Sequence, residues 1–174
     1  MVVRDLDVLC GAAARAHVSV NFSVPTLDPD VWRKTEPGTP PPAQRLRAVS
    51  RLVAAGIEAG VALAPILPGL SDRPEQLAAV VRAARDAGAV HLWANVLYLK
   101  PGTREHFLSS LARDWPELLP LYERLYDGRA YLPVKQAAPV RELVADLRRR
   151  HGVADRRPRR LAPPAEPIQL ALAV

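Results

Sequence analysis

Apolar and polar positions alternate from Val18 to Val24 (Val18-Ser19-Val20-Asn21-Phe22-Ser23-Val24), the period-two pattern of a strand with one face in a core. Pro25 stops it. A short helical segment around Asp30 to Lys34 follows, then a corner at Glu36-Pro37-Gly38-Thr39-Pro40, where Pro42 can open the next helix. Parallel α/β folds place ligands where the carboxyl end of a strand opens into such a loop, so the chain is organised around this stretch. Upstream, Leu6, Leu9, Cys10 and Ala13 fall at i, i+3, i+4 and i+7 and predict an amphipathic helix over Asp5 to Ala16. Cys10 lies on that apolar stripe and reads as a buried structural cysteine, with a reactive thiol as the alternative. Only Met1 to Val3 precede the helix as strand-forming residues, so the chain reads as beginning inside a βα unit.

The period then changes to that of a helix and back again. Ala43 to Ala55 turns Leu46, Val49 and Val53 inward and ends at Gly56. Ile57 to Leu67 is almost continuously apolar, as a strand covered on both faces should be. Ser71 or Asp72 can cap a helix over Pro74 to Ala87 whose inward positions are Leu77, Val80, Val81 and Ala84. A third strand spans Val90 to Leu99. The helix exits Ala54-Ala55-Gly56-Ile57 and Asp86-Ala87-Gly88-Ala89 match in kind and place, which marks a βα repeat and a parallel sheet.

After Thr103 only helical patterns remain: Glu105 to Trp115, Pro116 to Tyr126, and a last helix marked by Val140, Leu143, Val144 and Leu147 that ends near His151-Gly152. The expected fold class is α/β: a partial (βα) barrel of about three parallel strands with covering helices, followed by a helical C-terminal extension. The expected organisation is a half-barrel over 1–103, the extension over 104–152 and a basic, Pro-rich, disordered tail over 153–174. Three strands cannot close a barrel, whose smallest filled form has about eight, and they leave open edges on both sides of the sheet.

Composition changes this picture in three places. One cysteine excludes an internal disulfide and cannot by itself hold a zinc or iron–sulfur site. No apolar run reaches the roughly 18 to 20 residues of a membrane span, and Met1-Val2-Val3-Arg4-Asp5 is no signal peptide, so a cytoplasmic location without membrane contact is expected. The net charge of +6 is local, because Arg148 to Arg160 holds seven Arg against one Asp and leaves the body about neutral. A basic tail that meets nucleic-acid phosphates is one reading, and a solvated helix end is the other.

Taken in order, Arg4 to Leu9, Val20 to Asp28, Glu36-Pro37-Gly38-Thr39-Pro40, Arg45-Leu46, Ala55-Gly56-Ile57 and Ala64-Pro65-Ile66-Leu67-Pro68-Gly69-Leu70-Ser71-Asp72 resemble radical SAM proteins, more narrowly the spore photoproduct lyase-like group. The resemblance spans roughly Met1 to Trp115. It implies a partial (βα)6 barrel whose first unit carries three cysteines in C-x3-C-x2-C spacing for a [4Fe–4S] cluster. The cluster cleaves bound S-adenosylmethionine to a radical that abstracts a substrate hydrogen. By the same resemblance this chain supplies the last three strands. Ser23 falls at the strand-end serine that contacts S-adenosylmethionine, and Ala64 falls where backbone meets the adenine. The three-cysteine motif is absent, so the chain by itself is expected to hold no cluster and to generate no radical. The expected function is thus the C-terminal portion of a radical SAM protein, inactive unless completed. A non-catalytic binding module and a non-functional remnant are the alternatives.

The remaining chemistry-bearing residues have bland readings beside functional ones. Glu36 is either a site acid or the cap of its turn. His17 and His91 stand at strand entrances, the stability end of such sheets, and no His pair has ligand spacing. Asn95 and Tyr98 are placed on the third strand, Asn95 as an interior contact or a satisfied core amide. Lys100 and Arg104 in the exit loop suit a phosphate, a carboxylate or solvent. Trp93, Phe107 and Trp115 read as packing residues.

Overall fold

The computed structural model describes residues 2–155; the part of the Arg-rich run from Arg156 to Arg160, and the expected tail beyond Asp155, lie outside them. Three parallel strands, β1 (Ser19–Ser23), β2 (Glu58–Ile66) and β3 (His91–Val96), form one sheet in the order β1-β2-β3. Helix α1 (Leu6–Ala13) precedes β1. The first crossover carries α2 (Pro29–Thr35) and α3 (Pro42–Ala54), and the second carries α4 (Pro74–Asp86). Beyond β3 come α5 (Thr103–Asp114), a 3-10 turn at Pro116–Leu118, α6 (Leu119–Tyr126) and α7 (Val134–His151). The protein is therefore α/β with a parallel sheet, as the alternating pattern predicts.

Strand alternation divides the sheet into two unlike faces. Val20, Phe22 and Val24 on the first strand line up with Ala59, Val61 and Leu63 on the second and Leu92 and Ala94 on the third, all in one apolar core. Helices α3, α4 and α7 complete that core with Val49, Leu52, Leu77, Val80, Val81, Val144 and Leu147. The other face carries Asn21, Ser23, Gly60, Ala62, Ala64, His91, Trp93 and Asn95, small or polar residues apart from the Trp93 indole. On α3 the fully buried positions are Val49 and Leu52, with Leu46 and Val53 only partly covered. One turn before Val49 the buried residue is Arg45, a cation where the apolar pattern gives no warning.

Both matched helix exits behave as expected. Gly56 and Gly88 each take φ of +79°, a left-handed conformation that a side chain would resist. The entrance to α4 differs from expectation. Ser71 Oγ accepts from the Leu67 N–H at 3.0 Å and Asp72 Oδ1 from the Gly69 N–H at 2.9 Å, so both close the preceding turn instead of capping the helix. Cys10 is also corrected: it is exposed, because α1 flanks the sheet margin and buries Leu6, Leu9 and Ala13 only in part. Helix α7 begins earlier than its apolar marks suggest and runs through Pro139. Tyr98 lies beyond the end of β3, which stops at Val96.

The expectation of two open sheet edges holds on one side only. On the outer edge of β3 the Leu92 N–H donates to Ala154 O at 2.9 Å and the Leu92 carbonyl accepts from Arg148 Nη1 at 3.1 Å. His91 pairs with Ala154 in a one-residue parallel bridge, and the Leu99 N–H donates to Ala130 O at 2.7 Å. The chain returning from α7 thus closes that edge and satisfies backbone groups that would otherwise face solvent.

A second core lies at the carboxyl end of the sheet, where α5 and α6 pack Leu111, Tyr122 and Tyr126 against Val31, Leu67, Leu70, Leu97 and Leu99, with Phe107 and Trp115 partly buried beside them. Tyr126 donates its hydroxyl to Leu97 O at 2.7 Å and stacks on Tyr122 at 6.0 Å. Burial pushes both phenols well above their ordinary pKa, with the nearby Tyr126 and Asp72 adding to the shift at Tyr122. In the unfolded chain the same phenols ionise near 10.0, so their contribution is complete below that pH and is lost as pH rises toward the folded values. Unfolding followed by circular dichroism should show stability falling above about pH 10, with a smaller fall in Tyr126→Phe. At neutral pH that variant should cost about 1 kcal/mol by stranding the Leu97 carbonyl; a urea midpoint equal to wild type would refute the assignment.

Candidate functional site

The carboxyl end of β1 is built by local rules. Pro25 ends the ladder. Buried Thr26 accepts the Asp28 N–H at 3.0 Å, and the Asp28 carboxylate accepts from the N–H groups of Asp30 at 2.8 Å and Val31 at 3.1 Å, the N-cap of α2 with Pro29 at its first position. The chain then doubles back through Glu36 to Pro40 and enters α3.

Arg45 holds this corner together. Its Nε donates to Pro40 O at 2.8 Å, Nη1 to Ser23 O at 2.8 Å, and Nη2 to Glu36 Oε2 at 2.5 Å and Thr39 Oγ1 at 2.6 Å. The Arg45 side chain is only 9% exposed and Glu36 22%, so the pair is largely removed from solvent. Glu36 is therefore an ion-pair partner that positions the corner. The planar guanidinium serves four acceptors at fixed angles, which a lysine cannot do.

The two residues assigned to S-adenosylmethionine by resemblance meet each other: the Ser23 hydroxyl donates to the Ala64 carbonyl across the ends of β1 and β2. Ser23 thereby uses its one O–H and keeps its lone pairs, while the Ala64 carbonyl keeps a second acceptor site. Further down the same face, His91 Nε2 and Asn21 Oδ1 lie 2.7 Å apart, bridging β1 and β3 across β2. Gly60 sits between them. A Cβ there would overlap the His91 ring and come within 2.7 Å of Asn21 Oδ1, so glycine is what lets the bridge close. His17 lies 3.4 Å from Glu58 at the opposite, amino end of the sheet.

After β3, Tyr98 and Tyr131 stack in the open at 5.5 Å, 43% and 57% exposed, with Lys100 Nζ 5.9 Å from the Tyr98 ring. Arg104 donates to the Arg129 carbonyl and so ties the loop before α7 to the start of α5. Asn95 lies on β3, on the face opposite the helix-covered one and beside Trp93 in the alternation. Arg45 is the residue that sequence reasoning missed. Its one signal was a charge at an inward-facing position of an otherwise apolar helix stripe.

A cleft of about 730 Å³ opens beside this corner, lined among others by Asn21, Ser23, Glu36, Arg45, Arg47 and Arg51. Ala64 is not part of its lining, so the cleft follows the free edge of β1 and does not extend over the end of β2. Among the described residues no group of three or more His, Cys, Asp and Glu side chains could hold a metal ion. Cys10 stands alone on α1, its Sγ 3.7 Å from Ala55 O. These residues do not fit a [4Fe–4S] cluster, which takes thiolate ligands in number.

The arrangement defines a class: a parallel α/β sheet with an apolar helix-covered face, an opposite face of mostly small and polar residues, and a pinned corner at its carboxyl end. Among known proteins, no family profile and no solved structure matches the chain. An uncharacterized protein of Mycobacterium tuberculosis is 39% identical over 162 residues, which are 92% of this chain and 47% of the relative. One of Mycobacterium bovis is similar to the same extent. An uncharacterized protein of Acidianus two-tailed virus is 28% identical over 114 residues, 64% of this chain and 37% of the relative. The chain thus spans about half the length, or less, of the curated relatives it matches.

Arg45→Met should cost about 3 kcal/mol, because Glu36 loses its partner and three further acceptors lose their donor. Arg45→Lys should recover little of it. Thermal and urea unfolding of both against Arg33→Ala, an exposed control, checks this; equal midpoints for all three would exclude the clamp.

Proposed function

We propose that this chain forms part of a radical SAM-type (βα) barrel of the spore photoproduct lyase-like group and supplies one wall of an S-adenosylmethionine site. The observation that carries the reading is the hydrogen bond from Ser23 to Ala64, because it joins the two positions that the resemblance singles out at neighbouring strand ends. The ordered run of matching segments from Arg4 to Asp72 supports it from the sequence side. Ser23, whose proton is engaged by Ala64, would accept from a ribose hydroxyl or an ammonium group in preference to binding a carboxylate. The Ala64 carbonyl would accept from the adenine amino group. When complete, such a site cleaves S-adenosylmethionine reductively; the residues described here bind and orient it and provide none of the cluster ligands.

Catalysis, DNA repair chemistry and the substrate would belong to a longer assembly. We place that assembly in the cytoplasm, in keeping with the finding that no described helix is long and apolar enough to cross a membrane. The alternative of a basic arm for nucleic acid draws less support. Arg148 is tied to Leu92 O and to Asp155 at 2.7 Å, and Arg149 and Arg150 pair with Asp146 at 3.3 and 2.6 Å, which leaves that reading to residues 156–160.

Titration of the isotope-labelled chain with S-adenosylmethionine should shift the backbone resonances of Ser23 and of Ala62 to Ile66, and Ser23→Ala should bind about fivefold more weakly. Shifts confined to other elements, or a Ser23→Ala affinity equal to wild type, would sink the assignment. Anaerobic treatment with iron and sulfide should leave the chain alone without cluster absorbance.

A further inference from the structure

Asp72 closes the turn after β2 with one oxygen only. Its Oδ1 accepts the Gly69 N–H at 2.9 Å, and among the described residues the carboxylate has no ion-pair partner and no second hydrogen bond. The residue is half-buried and lines a cavity of about 210 Å³. A carboxylate drawn partly out of water with no cation beside it is costly.

The rest of the cavity is almost wholly apolar. Ile66 and Val96 line it from the ends of β2 and β3, Leu121 and Leu125 from α6, and Leu132 and Val140 from α7 and the loop before it. Gln136, on the first turn of α7, is the second polar side chain in the lining. Gly69 takes φ of +77°, and side-chain carbons of Leu118 and Leu121 stand 3.2 and 3.3 Å from where its Cβ would be. Helix α6 and the 3-10 turn before it therefore pack directly on the turn that carries Asp72. The cavity shares no lining residue with the cleft beside Arg45, and neither Ser23 nor Ala64 reaches it.

Size and chemistry together select the guest. An apolar cavity of about 150 Å³ is enough for a benzene ring, so this one has room for a ring and a short arm. A metal ion takes more oxygens than one carboxylate and one amide provide. An anion would meet the Asp72 charge, and a neutral hydrocarbon would leave that charge unpaired. An ammonium group on an apolar body satisfies both halves of the site. The body displaces water from the leucines, and the N–H groups donate to the open oxygen Oδ2.

We infer that this cavity is a binding site for a small primary amine with an aromatic or branched apolar body, held by Asp72 as its counter-ion. The site goes beyond the S-adenosylmethionine reading and requires neither that cofactor nor a further chain, so the two stand or fall separately.

The probe is phenethylammonium, added to the isotope-labelled 174-residue chain without S-adenosylmethionine. Saturable shifts in the millimolar range should appear at the backbone amides of Gly69, Asp72, Leu125 and Gln136. Nuclear Overhauser contacts should join the phenyl protons to the Leu125 and Leu132 methyls. Phenethyl alcohol, of the same shape without the charge, should bind about tenfold more weakly. Asp72→Asn keeps an acceptor for the Gly69 N–H, so its urea midpoint should stay close to wild type. It should lose about tenfold in affinity for the amine and none for the alcohol. Leu132→Trp, which fills the cavity from a partly buried position, should abolish binding of both. Equal affinity for amine and alcohol, or full amine affinity in Asp72→Asn, would overturn the inference. So would shifts that leave these residues untouched, or the lack of any saturable shift. The comparison of amine with alcohol is made on the wild-type chain and decides the matter even where a variant fails to fold.

Discussion

The buried guanidinium of Arg45 is the constraint on which the rest of the site depends. It reaches from α3 to the last carbonyl of β1, to the Pro40 carbonyl in the returning loop, and to the Glu36 and Thr39 side chains between them. Fourteen residues of connection, from Pro25 to Gly38, would otherwise carry considerable loop entropy. The clamp fixes their exit and entry points relative to the sheet, and with them the Ser23 hydroxyl. A carboxylate and a guanidinium this far from solvent are stable together and costly apart, so the corner has one well-defined arrangement.

From that corner the unlike faces of the sheet follow. The helices cover the face of Val61, Leu63 and Leu92, so the opposite row is free to be small and polar. Gly60 allows Asn21 and His91 to meet across β2, and nearer the carboxyl end Ser23 bonds the Ala64 carbonyl of β2 itself. The first bridge ties the two outer strands and the second ties β1 to its neighbour β2, each through a side chain on the face opposite the helix-covered one. The second core around Tyr122 and Tyr126 then anchors the loops at the carboxyl end, because Tyr126 bonds Leu97 just past β3.

Much of this was legible in the chain, and the misses are physical. Leu77, Val80, Val81 and Ala84 announce the buried stripe of α4 through their spacing, and all four are buried. Ser71 and Asp72 have the chemistry of helix caps, yet Leu67 and Gly69 present nearer N–H groups and take both side chains. Cys10 has the spacing of a core residue, but burial requires something packed outside α1, and spacing carries no information about that. Ser23 and Ala64 were singled out by resemblance; their mutual hydrogen bond could not be read from positions 41 residues apart.

What the sequence determined by itself is the α/β class, the parallel sense of the strands implied by matched βα units, and a cysteine count of one, too few for a cluster, since periodicity, punctuation and composition are local properties. What only the tertiary structure decided is which edge is finished and which is open, why an arginine sits in an apolar stripe, and which polar groups share a face. Those depend on backbone groups meeting partners far away in the chain: Leu92 with Ala154, Arg45 with Ser23, Asn21 with His91. A hydrogen bond between distant residues leaves no period in the sequence, because its geometry exists only once the sheet has been assembled.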